Sequence, residues 1–235
     1  MASPLIVFDI DGTLTRSIPV DDDCYLQAVD EVFGIRGVEP DWSGYPHSTD
    51  RGIAAEIVRR RLGRDVPPDE MAAFRRRFVA LIAERLADDP AACPPVPGAP
   101  ELVATLDAGA VAVATGGFSD SARSKLAAAG LSIVAGWPFA SGDDAVDRIS
   151  IIEMARIRAG ARRPTVYVGD GVWDYHAARA LGIGFVGIAS GARAASLRAA
   201  GARRILPDFT DVAALWTALA EESHPQRFDA TNGEV

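Results

Sequence analysis

The feature that most restricts the fold is a regular alternation of short apolar runs with helical segments after residue 100. A short run that is rich in β-branched residues and ends at a glycine or polar turn is typical of a buried strand. Strands that alternate with helices usually pair in parallel through right-handed crossovers. We therefore predict an α/β fold with a Rossmann-like three-layer core and a mostly parallel sheet. The predicted strands are Leu5–Phe8, Val111–Ala114, Leu131–Ala135, Thr165–Val168, Ile183–Ile188 and Arg204–Leu206.

The segment between residues 21 and 89 differs from the rest of the chain. Its apolar residues recur at helical spacing, and strand-like runs are absent from it. Five prolines follow between Pro90 and Pro100, and so many prolines cannot pair as a central strand. We therefore predict a small all-helical domain inserted after the first strand. The predicted domains are a core over residues 1–18 and 92–222, a helical cap over 19–91, and a flexible tail over 223–235.

Composition and charge exclude several functional classes. The 235 residues are 49% hydrophobic and 24% charged, which is typical of a globular protein with one or two domains. The net charge of −8 argues against a nucleic-acid partner, because nucleic acids bind basic surfaces. No apolar run approaches the roughly 20 residues of a membrane span, and Leu5–Phe8 is too short for a signal peptide. Cys24 and Cys93 lack metal-type spacing, so we expect free thiols and a cytoplasmic protein, either a monomer or a homodimer.

Two carboxylates, Asp9 and Asp11, follow the first predicted strand. Anions placed together at the end of a buried strand repel each other and lose hydration, unless a cation compensates them. Carboxylate oxygens suit Mg²⁺, and open α/β sheets bind ligands at the carboxyl ends of their strands. Gly12 permits a sharp turn, and Thr13 supplies a hydroxyl. This segment therefore predicts a metal ion and an oxyanion at the end of the strand.

Two further strand ends carry residues that suit the same site. Thr115, Gly116 and Gly117 follow the second strand, where a hydroxyl and free amide groups can hold an oxyanion. Taken alone, this stretch is better explained as an ordinary strand-to-helix turn. Asp170 lies just after the predicted buried strand Thr165–Val168, and helix N-capping does not explain an aspartate at that position. Asp174 begins the next helix, and N-capping alone would explain it.

Together these stretches resemble the haloacid-dehalogenase-like (HAD) hydrolases, most of which are phosphatases. Asp9-Ile10-Asp11-Gly12-Thr13 resembles their motif I, Thr115-Gly116-Gly117 their motif II, and residues 168–174 their motif IV. The motifs occur in the family's order, each after a predicted strand. The helical insertion resembles the family's C1 cap, and the chain is most similar to the phosphoglycolate-phosphatase-like branch.

The family also places a cation, usually a lysine, between motifs II and IV. Arg148 lies at the expected place, at the start of a predicted helix, and an arginine can neutralise both carboxylate and phosphate. The arginine is a departure from the family's pattern. Two alternatives stay open: Arg148 is a surface charge, or Lys125 reaches the site from elsewhere. We favour Arg148 as the cation.

The resemblance implies a Mg²⁺-dependent phosphatase that works in two steps. Asp9 would attack phosphorus and form an aspartyl-phosphate, while Asp11 would protonate the leaving oxygen and then activate water. The metal ligands would be Asp9, the backbone carbonyl of Asp11, Asp170 and Asp174. The residues expected to contact the phosphate or to balance its charge are Gly12, Thr13, Thr115, Gly116, Gly117 and Arg148.

The implied substrate is a small phosphorylated metabolite, such as a sugar phosphate, phosphoglycolate or a nucleotide. Asp11 argues against the dehalogenase branch, which lacks this second aspartate. Two alternatives remain: a phosphomutase of the same fold, and a non-catalytic phosphate-binding regulatory module similar to a receiver domain.

The loop before the second cap helix is polar and would face the leaving group. Tyr45 and His47 could contact the substrate there, although a solvated loop explains them equally well. The basic triplets Arg59–Arg61 and Arg75–Arg77 are predicted to lie on solvated helix faces. Trp173 is predicted to be a packing residue.

Overall fold

The computed structural model describes residues 3–160 and 162–223. Its strands are β1 (Leu5–Phe8), β2 (Val111–Ala114), β3 (Phe139–Ala140), β4 (Thr165–Gly169), β5 (Gly184–Ile188) and β6 (Ile205–Leu206). They form a six-stranded sheet in the order β3-β2-β1-β4-β5-β6. Every neighbouring pair is parallel, so the predicted parallel α/β sheet is confirmed.

The helices are α1 (Ile18–Phe33), α2 (Asp50–Leu62), α3 (Pro68–Asp88), α4 (Ala99–Val103), α5 (Ser119–Ala128), α6 (Arg148–Arg158), α7 (Val172–Ala180), α8 (Gly191–Ala200) and α9 (Val212–Glu222). Of these, α4 to α9 cover both faces of the sheet. Alternate residues of a strand point to opposite faces. Ile6 and Phe8 therefore pack in one cluster with α4, α5 and α9, whereas Leu5 and Val7 pack in another with α6, α7 and α8. This gives the predicted three layers.

One predicted strand is wrong. Residues 131–135, predicted as a strand, instead lead into a short 3₁₀ helix over Ser132–Gly136, and the strand at this edge is Phe139–Ala140. Leu131 and Val134 are fully buried, while Ile133 between them is 59% exposed. This spacing of three is helical, and the β-branched composition of the segment concealed it.

Helices α1 to α3 build a separate core from aromatic side chains. Tyr25 of α1 lies 5.1 Å from Phe74 of α3 and 5.4 Å from Phe78, measured between ring centroids. Phe118, at the start of α5, joins the same cluster from the sheet side. The helical insertion therefore packs directly on the loop after β2. The exact boundaries of the cap domain stay a prediction.

The free state predicted for Cys24 and Cys93 is confirmed, and both side chains are buried. None of the helices described between residues 3 and 223 has the length and apolar character needed to cross a membrane. The predicted flexible tail lies outside the described residues except for Ser223.

Candidate active site

The carboxyl ends of β2, β1 and β4 lie side by side because these strands are neighbours in the sheet. Asp9 continues the ladder, since its backbone N–H donates to Val168 O at 2.9 Å. Asp9, Thr115 and Asp170, which follow the three strands, therefore meet at one edge. They line an inner cavity of about 110 Å³. The other predicted site residues that line this inner cavity are Asp11, Gly116, Gly117 and Arg148.

Three buried carboxylates form a group that could hold a metal ion. One carboxylate oxygen from each of Asp9, Asp170 and Asp174 lies within 4.8 Å of the others. Burial raises the pKa of all three, and for Asp170 the pKa rises to about 7. The all-oxygen donor set fits Mg²⁺ in chemistry. The carboxylate of Asp11 is not part of the group, which leaves this residue the backbone carbonyl as its predicted metal ligand.

Asp174 occupies the first turn of α7 and has more than one partner. Its carboxylate accepts a hydrogen bond from Gly171 N–H at 3.0 Å and one from the Tyr167 hydroxyl at 3.3 Å. Gly171 is the N-cap, so Asp174 is a first-turn residue that reaches back to the cap. The prediction that Asp174 begins the helix as its N-cap is therefore wrong, although its side chain does bind the N-cap backbone and also belongs to the carboxylate group.

Arg148 enters the site from the first turn of α6, and its side chain is 9% exposed. Its Nη1 donates to Asp9 Oδ1 at 3.0 Å, and its Nη2 donates to Ser48 O at 3.2 Å. Burial disfavours the charged guanidinium, but nearby Tyr167, Asp174 and Asp9 outweigh this effect and raise the pKa of Arg148. The predicted cation therefore contacts the predicted nucleophile and stays charged.

Lys125 pairs with Asp11, which lines the inner cavity, so the two candidate cations do not exclude each other. Its Nζ lies 2.6 Å from Asp11 Oδ1 and 2.5 Å from Asp21 Oδ1, and the side chain is fully buried. Ser17 donates a further hydrogen bond to Asp11 Oδ1. The only signal for Lys125 in the sequence is its place three residues after Ala122, on the apolar face of α5.

Replacing Lys125 with methionine is expected to destabilise the fold by about 3 kcal/mol, because two partly buried carboxylates would lose their fully buried cation. Chemical denaturation measures this loss. The double variant Lys125→Met, Asp21→Asn removes one of the two carboxylates left without a cation, so it should recover part of the lost stability. A single variant as stable as the wild type would show that the Lys125 cluster contributes nothing.

The glycines around the site are required by close contacts. Gly12 adopts φ +82°, and a Cβ atom there would collide with the Asp170 carboxylate. A Cβ atom on Gly116 would collide with Ser48 O and would lie 2.8 Å from Arg148 Nη2. Thr13, by contrast, is fully buried outside the inner cavity, and its hydroxyl has no hydrogen-bond partner among the described residues.

The start of α2 is hydrogen-bonded to loops of the sheet domain. Asp50 N–H donates to Gly116 O at 3.0 Å, and its Oδ2 accepts from Phe118 N–H at 2.8 Å. The Thr49 hydroxyl donates to Val146 O at 2.8 Å. These contacts place the helical insertion over the inner cavity. Sequence reasoning missed the role of Asp50 because its partners are distant in the chain.

A larger outer cleft of about 920 Å³ continues from the inner cavity, between residues 40–48 on one side and α7 and α8 on the other. Tyr45 and His47 line this outer cleft, and their contact with a substrate stays a prediction. Trp173, predicted to be a packing residue, lines both spaces because α7 begins at the mouth of the site.

The prediction of two solvated basic triplets is wrong for Arg75. This side chain bridges to the sheet domain, with its Nε 2.6 Å from Asp143 Oδ1 and its Nη2 2.9 Å from Asp120 Oδ2. In the other triplet, Arg59 and Arg60 pair with Glu56 on their own helix. The two triplets differ because the sheet domain places two carboxylates next to Arg75, whereas Arg59 and Arg60 find their partner on their own helix.

Comparison with known proteins identifies the family. Residues 4–182 match the haloacid dehalogenase-like hydrolases. The chain belongs to this family. No significant match was found among curated proteins. The HAD assignment accounts for the order in which the strand-end residues occur.

Solved structures share the HAD fold over nearly the whole chain. A hydrolase from Pseudomonas syringae is 25% identical, with a TM-score of 0.72, covering 93% of this chain and 99% of that one. A predicted phosphoglycolate phosphatase from Haemophilus somnus 129PT is 22% identical, with a TM-score of 0.66, covering 91% and 98%. CbbY from Rhodobacter sphaeroides, solved with phosphate, is 21% identical, with a TM-score of 0.68, covering 90% and 96%.

Proposed function

We propose that this HAD hydrolase is a Mg²⁺-dependent phosphatase that acts on a small phosphate monoester through an aspartyl-phosphate on Asp9. The observation that carries the proposal is the position of Asp9 at the base of the inner cavity. It lies 3.0 Å from the Arg148 guanidinium and belongs to a group of three carboxylates. A carboxylate held between a cation and a metal site can approach a phosphate without prohibitive repulsion.

Each residue of the site has a separate role in the two chemical steps. Asp9 attacks phosphorus, and the alkoxide leaves with a proton from Asp11. Asp11 then takes a proton from the water that hydrolyses the aspartyl-phosphate. Lys125 and Ser17 hold one oxygen of Asp11 in place. Thr115 and the amides that follow it bind phosphate oxygens, and Arg148 balances their charge.

Asp9, Asp170 and Asp174 would hold the Mg²⁺ ion, together with the backbone carbonyl of Asp11. When bound, the ion supplies positive charge against both the carboxylates and the phosphate. We also propose that the protein acts in the cytoplasm, on a small metabolite, as a monomer or a homodimer. The buried free thiols of Cys24 and Cys93 support a reducing compartment.

A direct assay separates the three candidate functions. The protein should release inorganic phosphate from p-nitrophenyl phosphate in the presence of Mg²⁺, without any bisphosphate added. A requirement for a sugar bisphosphate, with phosphate returned to a sugar, would identify a phosphomutase. Mg²⁺-dependent binding of phosphate without turnover across a panel of esters would identify a regulatory module.

Mg²⁺ should stabilise the protein more at pH 8 than at pH 5. Burial raises the pKa of Asp170 from 3.8 to about 7, so the folded state binds this proton more tightly than the unfolded chain does. The contribution of Asp170 to stability is therefore full below about pH 4 and falls as the pH rises through 7. Only the ionised group ligates metal. At pH 8 and Mg²⁺ at 100 times its Kd, the gain is about 2.7 kcal/mol.

Thermal melts with and without Mg²⁺ at the two pH values measure this difference. Asp170→Asn should remove the Mg²⁺ effect at pH 8. Equal Mg²⁺ shifts at both pH values, or a full shift in Asp170→Asn, would contradict the assignment of the metal ligands.

A further inference from the structure

The outer cleft continues from the inner cavity and is therefore the space available to the part of a substrate that leaves with the ester oxygen, and aromatic side chains form much of its wall. Trp42 and Tyr45 line it from the helical insertion, and Trp173 lines it from α7. Trp42 is fixed from two directions, since its ring centroid lies 5.4 Å from that of Tyr25 and 5.6 Å from that of Tyr45. The wall therefore offers rigid apolar surface and electron-rich ring faces.

Carboxylates dominate the charge of this wall. Asp22, Asp41 and Asp147 line the outer cleft in addition to the catalytic Asp170. Asp41 and Asp147 each accept backbone hydrogen bonds from the turns that they cap. Of these three, Asp22 alone also lines the inner cavity, where Asp9 and Asp11 lie.

Asp22 is held in a defined orientation toward both spaces. Its Oδ1 accepts a hydrogen bond from Trp42 Nε1 at 2.9 Å. The side chain of Asp22 is partly buried, and within the described part of the chain no hydrogen-bond donor reaches its Oδ2. The aromatic wall thus carries a carboxylate oxygen that is available to a ligand.

Basic groups that could receive a second anion are scarce here. Of the described residues that line the inner cavity and the outer cleft, Arg148 and Arg193 are the only arginines, and lysines are absent. Arg148 is committed to Asp9. Arg193 is half exposed, and its Nη1 lies 2.6 Å from Asp170 Oδ2. The other basic side chains described in the outer cleft are His47 and His176. A carboxylate or second phosphate on the leaving group would therefore face four aspartates, with Arg193, which pairs with Asp170, as the one guanidinium not held by Asp9.

We propose that the leaving group of the substrate is an uncharged or amine-bearing alcohol with apolar surface, and that the outer cleft rejects leaving groups with a second acidic function. An ammonium group could pair with Asp22 Oδ2 and lie against the ring faces of Trp42 or Trp173. Like charges brought together in a partly desolvated cleft repel each other, which excludes acidic competitors. This inference rests on the proposed phosphatase function and names its substrate class.

Two matched series of esters test the inference on the full-length protein with Mg²⁺. The first comprises 2-aminoethyl, 2-hydroxyethyl and carboxymethyl phosphate, which have the same chain length. The second comprises glucosamine 6-phosphate, glucose 6-phosphate and 6-phosphogluconate. In whichever series is hydrolysed faster, kcat/KM should be at least about tenfold lower for the acidic member than for the other two.

Asp22→Asn should reduce the discrimination by about tenfold, because the amide keeps an oxygen for Trp42 but loses the charge. Asp23→Asn is the matched control, since Asp23 neighbours Asp22 on α1 but is exposed and does not line either space. Preference for the acidic members would overturn the inference, and so would equal discrimination by Asp22→Asn and Asp23→Asn. In both cases hydrolysis itself would still support the proposed phosphatase function. Loss of all hydrolysis, including that of p-nitrophenyl phosphate, would instead refute the proposed function.

Discussion

Replacing Asp9 with asparagine should lower kcat by at least about 10⁴-fold, because the amide cannot form the aspartyl-phosphate. The substitution is nearly isosteric, and the oxygen that faces Arg148 is preserved, so the fold should remain intact. Steady-state release of phosphate from p-nitrophenyl phosphate measures the loss. Circular dichroism and the thermal midpoint verify that the variant is folded.

The control for this variant is Asp23→Asn, which makes the same chemical change on an exposed turn of α1. It should hydrolyse p-nitrophenyl phosphate at the wild-type rate. If Asp9→Asn retained more than about a tenth of wild-type kcat, direct attack by water would be the better mechanism.

Asp11→Asn should bind substrate normally but lower kcat by about 10²–10⁴-fold for alkyl phosphates. An alkoxide leaving group needs a proton, whereas p-nitrophenolate leaves readily without one. Formation of the aspartyl-phosphate from p-nitrophenyl phosphate should therefore be affected much less than formation from an alkyl ester. The second step, which needs Asp11 as a base, should be slow with every substrate.

Stopped-flow measurements distinguish these steps. With p-nitrophenyl phosphate, Asp11→Asn should show a burst of p-nitrophenol that approaches one equivalent, followed by a slow steady state. Equal defects for aryl and alkyl esters, with no burst, would show that Asp11 is not the proton donor. Lys125 contacts Asp11 directly, so a variant at Lys125 is not a suitable control here.

The parts of the site that follow strands could be predicted from the sequence. Asp9, Thr115 and Asp170 each follow a short apolar strand, and parallel strands bring their carboxyl ends to one edge. Thr115 and Arg148 depended also on the resemblance to the HAD family, because the pattern alone favours an ordinary turn at Thr115 and leaves a surface charge open for Arg148. Arg148 begins α6, whose start faces the same edge.

The remaining features depend on packing between distant segments. Lys125 reaches Asp21 across 104 positions of sequence, and Arg75 reaches Asp143 across 68. No local periodicity encodes such ion pairs. The 3₁₀ turn at Ser132–Gly136 was missed for a different reason, because strand propensity in a short apolar run does not reveal which side chains become buried.

Direct detection of the covalent intermediate is the sharpest test of the account. Asp11→Asn, mixed with p-nitrophenyl phosphate and Mg²⁺ and quenched in acid during the burst, should carry one phosphoryl group. Peptide mass spectrometry should locate that group on Asp9. A phosphoryl group on another residue, or an unmodified protein quenched during active turnover, would contradict nucleophilic attack by Asp9.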